Sequence, residues 1–218
     1  MRHFWNFSTG SGERTLRLDG PISDETWFGD EITPKLFKQE LNAGDGDIVV
    51  WINSTGGDVF AAAEIYNALK EYPGKVTVKI DAIAASAASV VAMAGDEVLI
   101  SPVGHILIHN PATIAIGDSE EMLRAKQLLD SVKESIINAY ELKTGLPRIK
   151  LAAMMDAETD MSAQVAVALG FADGMLYQPE AQPQLYNPAP VLNSLLIKLR
   201  GGVAVNTSQR EKYIFTQI

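Results

Sequence analysis

Short runs rich in Val and Ile alternate with segments whose apolar residues recur every three or four positions, and this alternation continues through most of the chain. Such a pattern builds α/β folds, with helices packed on a largely parallel sheet, rather than separate blocks of strands and helices. Strands are predicted at residues 15–18, 48–52, 76–80, 97–100 and 105–108. Between the second and third, Val59, Ala62, Ala63, Tyr66 and Leu69 mark a helical stripe that starts just after Gly56-Gly57 and stops near Pro73-Gly74. A longer helix is predicted over 119–143 from Met122, Ala125, Leu129, Val132, Ile136 and Tyr140. Ser119 is its predicted N-cap, Glu120 and Glu121 fill the first turn, and Gly145 ends it. At roughly 25 residues and about 37 Å, this helix exceeds what a small domain needs to cover its own sheet. Part of it is therefore expected to project and pack against another subunit. Two shorter helices follow at 147–155 and 163–169, the second closed by Gly170.

Composition removes whole classes of chemistry. The chain has 218 residues and no cysteine, so disulfides, thiol nucleophiles and Cys-ligated metals are excluded. His3, His105 and His109 are its only histidines, which argues against a multi-histidine metal cage. A net charge of −9 argues against a nucleic-acid surface, because phosphate binding needs clustered Lys and Arg. The first fifteen residues lack the basic start and apolar run of a signal peptide, and the longest apolar stretch, 82–95, is too short to span a bilayer. These features predict a soluble, cytoplasmic protein with no membrane partner. After Tyr177 the composition changes. Residues 178–190 hold four of the ten prolines and read as a linker between a domain at 1–177 and a tail at 191–218. In the tail, Lys198, Arg200, Arg210 and Lys212 face one acid, Glu211, so its net charge is +3 and that of the first 190 residues is −12.

Without cysteine, the question is which serine a histidine could activate. The hydrolase elbow G-x-S-x-G and the phosphate loop are both absent. What the chain offers instead is three strand ends. Ile52-Asn53-Ser54-Thr55-Gly56-Gly57 runs from a strand into a double glycine and then a helix, a turn whose free N–H groups suit a developing negative charge. Ala82-Ile83-Ala84-Ala85-Ser86-Ala87-Ala88-Ser89 crowds small side chains around Ser86, with Ser89 as the competing nucleophile. Ile106-Leu107-Ile108-His109-Asn110-Pro111 ends an apolar strand on a histidine able to reach a neighbouring turn, and His105 is the less well placed alternative.

In this order, the three parts resemble the ClpP family of serine peptidases, specifically its phage and prophage head-maturation branch. The resemblance spans roughly Thr15 to Met175 and includes Met161-Ser162-Ala163 followed by Ala166 and Gly170-Phe171-Ala172-Asp173. It implies Ser86 as nucleophile, His109 as general base, and an oxyanion hole from the N–H groups of Gly57 and Ala87. Counting back three positions from Met161 makes Glu158 the acid that orients the histidine. The family usually has Asp there and an aromatic at the position of Asp160, so Asp160 is the alternative acid. Thr55 stands where proline is usual, and Ala87 replaces a larger apolar residue. The resemblance also implies a crotonase-like fold of repeated strand-strand-helix units, with the 119–143 helix as a projecting handle, and a ring-shaped homo-oligomer. No cofactor or metal is called for.

The block Gly29-Asp30-Glu31-Ile32-Thr33-Pro34 and the extra tail favour a capsid (prohead) maturation peptidase acting on capsid proteins. The alternative within the family is the proteolytic subunit that works with a Clp-type ATPase. Outside peptidases, the competing readings are a crotonase-type hydratase or isomerase and a non-catalytic capsid scaffold. The Ser86 and His109 pair favours the peptidase.

Overall fold

The computed structural model describes residues 14–24 and 33–177; the linker, the basic tail and residues 29–32 of the phage-like block lie outside the described residues. In chain order the elements are β1 (Arg14–Asp19), α1 (Pro34–Leu41), β2 (Ile48–Ser54), α2 (Val59–Lys70), β3 (Val76–Ala85), α3 (Ala87–Ala92) and β4 (Glu97–Ile100). They continue with β5 (His105–Ile108), α4 (Ser119–Thr144), α5 (Arg148–Asp156), β6 (Thr159–Ser162), α6 (Ala163–Ala168) and β7 (Gly174–Met175). The strands form one mixed sheet in the order β1-β2-β3-β4-β7, with β5 pairing β3 and β6 pairing β5. Every pairing is parallel except β5 with β6. This is the mixed α/β architecture expected of the ClpP fold.

The long strand β3 organises the sheet. Its first half, Thr77 to Ile80, pairs with β4, and its last residues, Ile83 to Ala85, pair with β5. Opposite β2 the register slips at the same place: Ile52 faces Ile80, but Ser54 faces Ala84. The extra residues on β3 bend it, as a bulge does, and aim its carboxyl end between β2 and β5. Alternate residues on one face, among them Leu16, Leu18, Val50, Ile52, Val78, Ile80, Ile106 and Ile108, are fully buried. On the other face of the sheet Trp51 lies between two cations, with the Arg17 guanidinium 5.5 Å and the Lys79 ammonium 5.6 Å from its ring.

The helices depart from the sequence pattern in instructive ways. On α2 the buried positions are Ala61, Ala62, Ile65 and Leu69, whereas Ala63 is exposed. The buried stripe thus runs through Ile65 and Leu69, its two large apolar side chains. Asp58, the residue after Gly57, caps this helix by accepting the Ala61 N–H at 2.7 Å. The N-cap of α4 is Asp118 rather than Ser119, because its carboxylate accepts both the Glu120 and Glu121 N–H groups, at 3.0 and 3.1 Å. Gly145 ends α4 in the left-handed conformation, φ 67°.

With 26 residues α4 is about 39 Å long. Its apolar stripe is buried only from Val132 onward; Met122, Leu123 and Leu128 are exposed. The exposed half corresponds to the handle that the resemblance implies. At the buried half, Tyr140 meets Phe171 edge-to-face with centroids 5.4 Å apart. The Gly170–Asp173 motif has a structural task here. Asp173 accepts the Val98 N–H at 2.7 Å and the Lys143 ammonium at 2.6 Å, fastening α4 to β4.

Candidate active site

Three parallel strands, β2, β3 and β5, end at one edge of the sheet, and each delivers one part of the sequence pattern there. Open α/β sheets place their sites beyond such carboxyl ends. After β2, Ser54 donates its hydroxyl to the Gly20 carbonyl at 2.5 Å and accepts the Gly56 N–H at 3.1 Å, which closes the turn. Gly56 has φ +91°, and a Cβ on it would sit 2.6 Å from the Ala85 carbonyl oxygen and 2.8 Å from the Ser86 Cβ. Gly57 has φ +147°, and its Cβ would sit 2.0 Å from the Ile22 carbonyl oxygen. Only glycine lets this turn touch both the nucleophile candidate and the chain at Ile22.

Ile22 bridges to Gly57 in parallel fashion: its N–H goes to the Gly56 carbonyl and its carbonyl receives the Asp58 N–H, both at 2.9 Å. That pattern leaves the N–H of Gly57 without an acceptor among the described residues. Ala87 opens α3, so its N–H has no intrahelical acceptor either.

Ser86 lies between β3 and α3 with φ 54° and ψ −127°, a conformation that costs a non-glycine residue of order 1–3 kcal/mol. The turn is held by the Ser86 N–H on the Leu107 carbonyl at 2.9 Å. It is also held by Ser89, whose hydroxyl donates to the Ser86 carbonyl at 2.5 Å and shares a hydrogen bond with the Tyr140 hydroxyl at 2.8 Å. Ser89 is fully buried, so it supports the turn and does not face substrate. Burial pushes the Tyr140 phenol well above its ordinary value, which keeps it neutral.

Ser86, Ala87, Gly57 and His109 line one cleft of about 520 Å³. Its opposite wall is apolar, with Leu128, Leu129, Val132 and Ile136 from α4. This volume and mixture suit a ligand held by one apolar group beside a few directed polar ones.

Of the two acidic candidates, Asp160 pairs with the other histidine: its carboxylate is 3.0 and 3.2 Å from His105 Nδ1. The β5–β6 ladder ends at the Ile108–Thr159 pair, and His109 and Glu158 are the residues that directly follow and precede it. Glu158 is exposed and has a positive φ of 48°. No hydrogen bond among the described residues joins Ser86 to His109 or His109 to Glu158. The sequence brought Ser86, His109, Gly57 and Ala87 to one cleft; it missed Ser89, Tyr140 and Asp156 as supports. Asp156 accepts the Asn110 amide at 2.9 Å and the Lys133 ammonium at 2.5 Å. These donors hold the Asp156 carboxyl below its ordinary value, Lys133 first. No three His, Asp or Glu side chains converge on a metal-sized site among the described residues.

Comparison with known proteins identifies the family. The family model described as Clp protease matches residues 4–179. The chain is 30% identical over 169 residues to ATP-dependent Clp protease proteolytic subunit 1 of Chlamydia muridarum (strain MoPn / Nigg), covering 75% of this chain and 86% of that protein. It is 29% identical over 163 residues to the ATP-dependent Clp protease proteolytic subunit of Pleurastrum terricola, covering 74% and 82% respectively. With the family match running through the cleft and all three strand ends, the chain belongs to the Clp protease family and is a ClpP-like serine-type endopeptidase.

Proposed function

We propose that Ser86 is the nucleophile of this peptidase, His109 its general base and Glu158 the acid that orients His109. The observation that carries this reading is the meeting of a strained Ser86, His109 and the Gly57 and Ala87 N–H groups in one cleft. Ser86 Oγ attacks the carbonyl carbon of a bound peptide while His109 takes its proton and then delivers it to the leaving amine. The Gly57 and Ala87 N–H groups hold the oxyanion, and water releases the acyl group from Ser86. The apolar α4 wall takes a side chain next to the scissile bond. Asp160, engaged with His105, is the weaker alternative acid.

A fluorophosphonate–rhodamine probe tests the assignment. The wild type should be labelled on Ser86, with Ser86→Ala unlabelled; an assembled wild type that stays unlabelled would overturn it.

At the finer level, we propose a phage-type enzyme that cleaves capsid proteins during prohead maturation as a homo-oligomeric ring. The phage-like block at 29–34 and the tail beyond 177 support this reading. The names of the relatives favour a second reading, a proteolytic subunit paired with a Clp-type ATPase. Cleavage of unfolded casein and of a capsid precursor, each with and without a Clp ATPase and ATP, separates them. The capsid reading fails if only casein is cut and only with the ATPase.

A further inference from the structure

Helix α4 reaches the reacting edge through two polar tethers that the peptidase mechanism itself does not use. One starts at Tyr140, whose buried hydroxyl meets Ser89 at 2.8 Å; Ser89 in turn holds the Ser86 carbonyl at 2.5 Å. The other starts at Lys133, whose ammonium is 2.5 Å from Asp156; Asp156 accepts, at 2.9 Å, the side-chain amide of Asn110, the residue after His109. Tyr140 and Lys133 are seven residues apart, so they share one face of the helix about 10 Å apart along its axis. The Asn110 amide is fixed in orientation, because only its NH2 group can face a carboxylate. The Asp156 carboxyl, held below its ordinary value mainly by Lys133, stays ionised as an acceptor at neutral pH.

We propose that Tyr140 and Lys133 are positioning residues, through which α4 sets Ser86 and His109 relative to each other. The proposal rests on the peptidase reading and specifies which residues hold its reactive pair in place. Regular pairing reaches Ser86 only through its N–H on the Leu107 carbonyl, at 2.9 Å, and stops before His109. Ser86 sits in a conformation that its own backbone disfavours, and β5 stops at Ile108, one residue short of the histidine. A hydroxyl chain and an ion-pair chain from one rigid helix supply what the ladder does not.

The test uses the full chain in two measurements. In the first, the saturable rate of fluorophosphonate–rhodamine labelling is resolved into a limiting rate and a half-saturation concentration. Tyr140→Phe and Lys133→Met should each lower the limiting rate about tenfold with half-saturation unchanged, and Lys133→Arg should recover at least half of the lost rate. In the second, hydrogen exchange is followed by mass spectrometry. Tyr140→Phe should speed exchange in residues 84–90 and leave 105–112 unchanged; Lys133→Met should do the reverse. Variants with wild-type limiting rates, or exchange that rises uniformly over the domain, would overturn the proposal. Exchange is read without reference to catalysis. A wild type that fails to label would therefore sink the Ser86 assignment, while the segment-specific exchange would still decide the tethers.

Discussion

At the residue scale, the choice between Glu158 and Asp160 turns on which histidine each can serve. A carboxylate already shared with His105 Nδ1 at 3.0 Å can leave that partner only at a cost, whereas the Glu158 side chain has no hydrogen bond to give up among the described residues. Glu158→Gln should therefore slow fluorophosphonate labelling of Ser86 at least tenfold, because the orienting charge behind the imidazole is lost. Asp160→Asn should stay within about twofold of wild type. Equal and negligible effects in the two labelling rates would remove both from the triad. The serine, the histidine and the double glycine were legible in the sequence because each ends an apolar strand, so their surroundings are local. The proposed acid, Glu158, was reached only through resemblance and counting. Its place depends on β6 pairing antiparallel with β5 across the fifty residues 109–158, a contact that local pattern does not encode.

Elements were legible in proportion to their length and periodicity. β4 and β5 match their predicted limits, and α4 was found to within a residue at its end. By contrast α1, β6 and β7 were not predicted. α1 is eight residues long and begins at Pro34 behind a Thr33 cap, β6 is four residues and β7 two, too short for a period to emerge. β3 runs on to Ala85, past its predicted end at residue 80, because β5 gives its far half a partner. The junction of α4 with α5 makes a pH prediction. Asp156 has a folded-state pKa below its ordinary one, so its contribution to stability is complete above the ordinary carboxylate range and is lost as pH falls through the lowered value. Asp156→Asn should lower thermal stability at pH 7 and narrow its difference from wild type toward pH 2. Parallel melting curves across that range check it, and a constant difference would contradict the role of the charge. Asp156 is exposed to solvent, so the effect belongs at the small end of what ion pairs supply.

At the scale of the whole molecule, the longest run of exposed apolar side chains among the described residues lies along the first half of α4 and the segment leading into it. Ile114 and Ile116 are each 91% exposed, and Leu123 and Leu128 about half exposed. A patch of this kind marks an association surface, and it suits the oligomer proposed above. Ile116→Glu combined with Leu123→Glu should reduce the native mass of the assembly without changing the far-ultraviolet spectrum of the subunit; an unchanged mass would place the interface elsewhere. The backbone at Ser86 has a further consequence for the molecule as a whole. A domain that keeps its proposed nucleophile at φ 54° sacrifices thermal robustness for reactivity, since this conformation is cheap only for glycine. Ser86→Gly should therefore yield a catalytically dead protein that melts several degrees above the wild type, with the gain confined to this one position. Selection for heat resistance and selection for proteolysis would pull residue 86 in opposite directions.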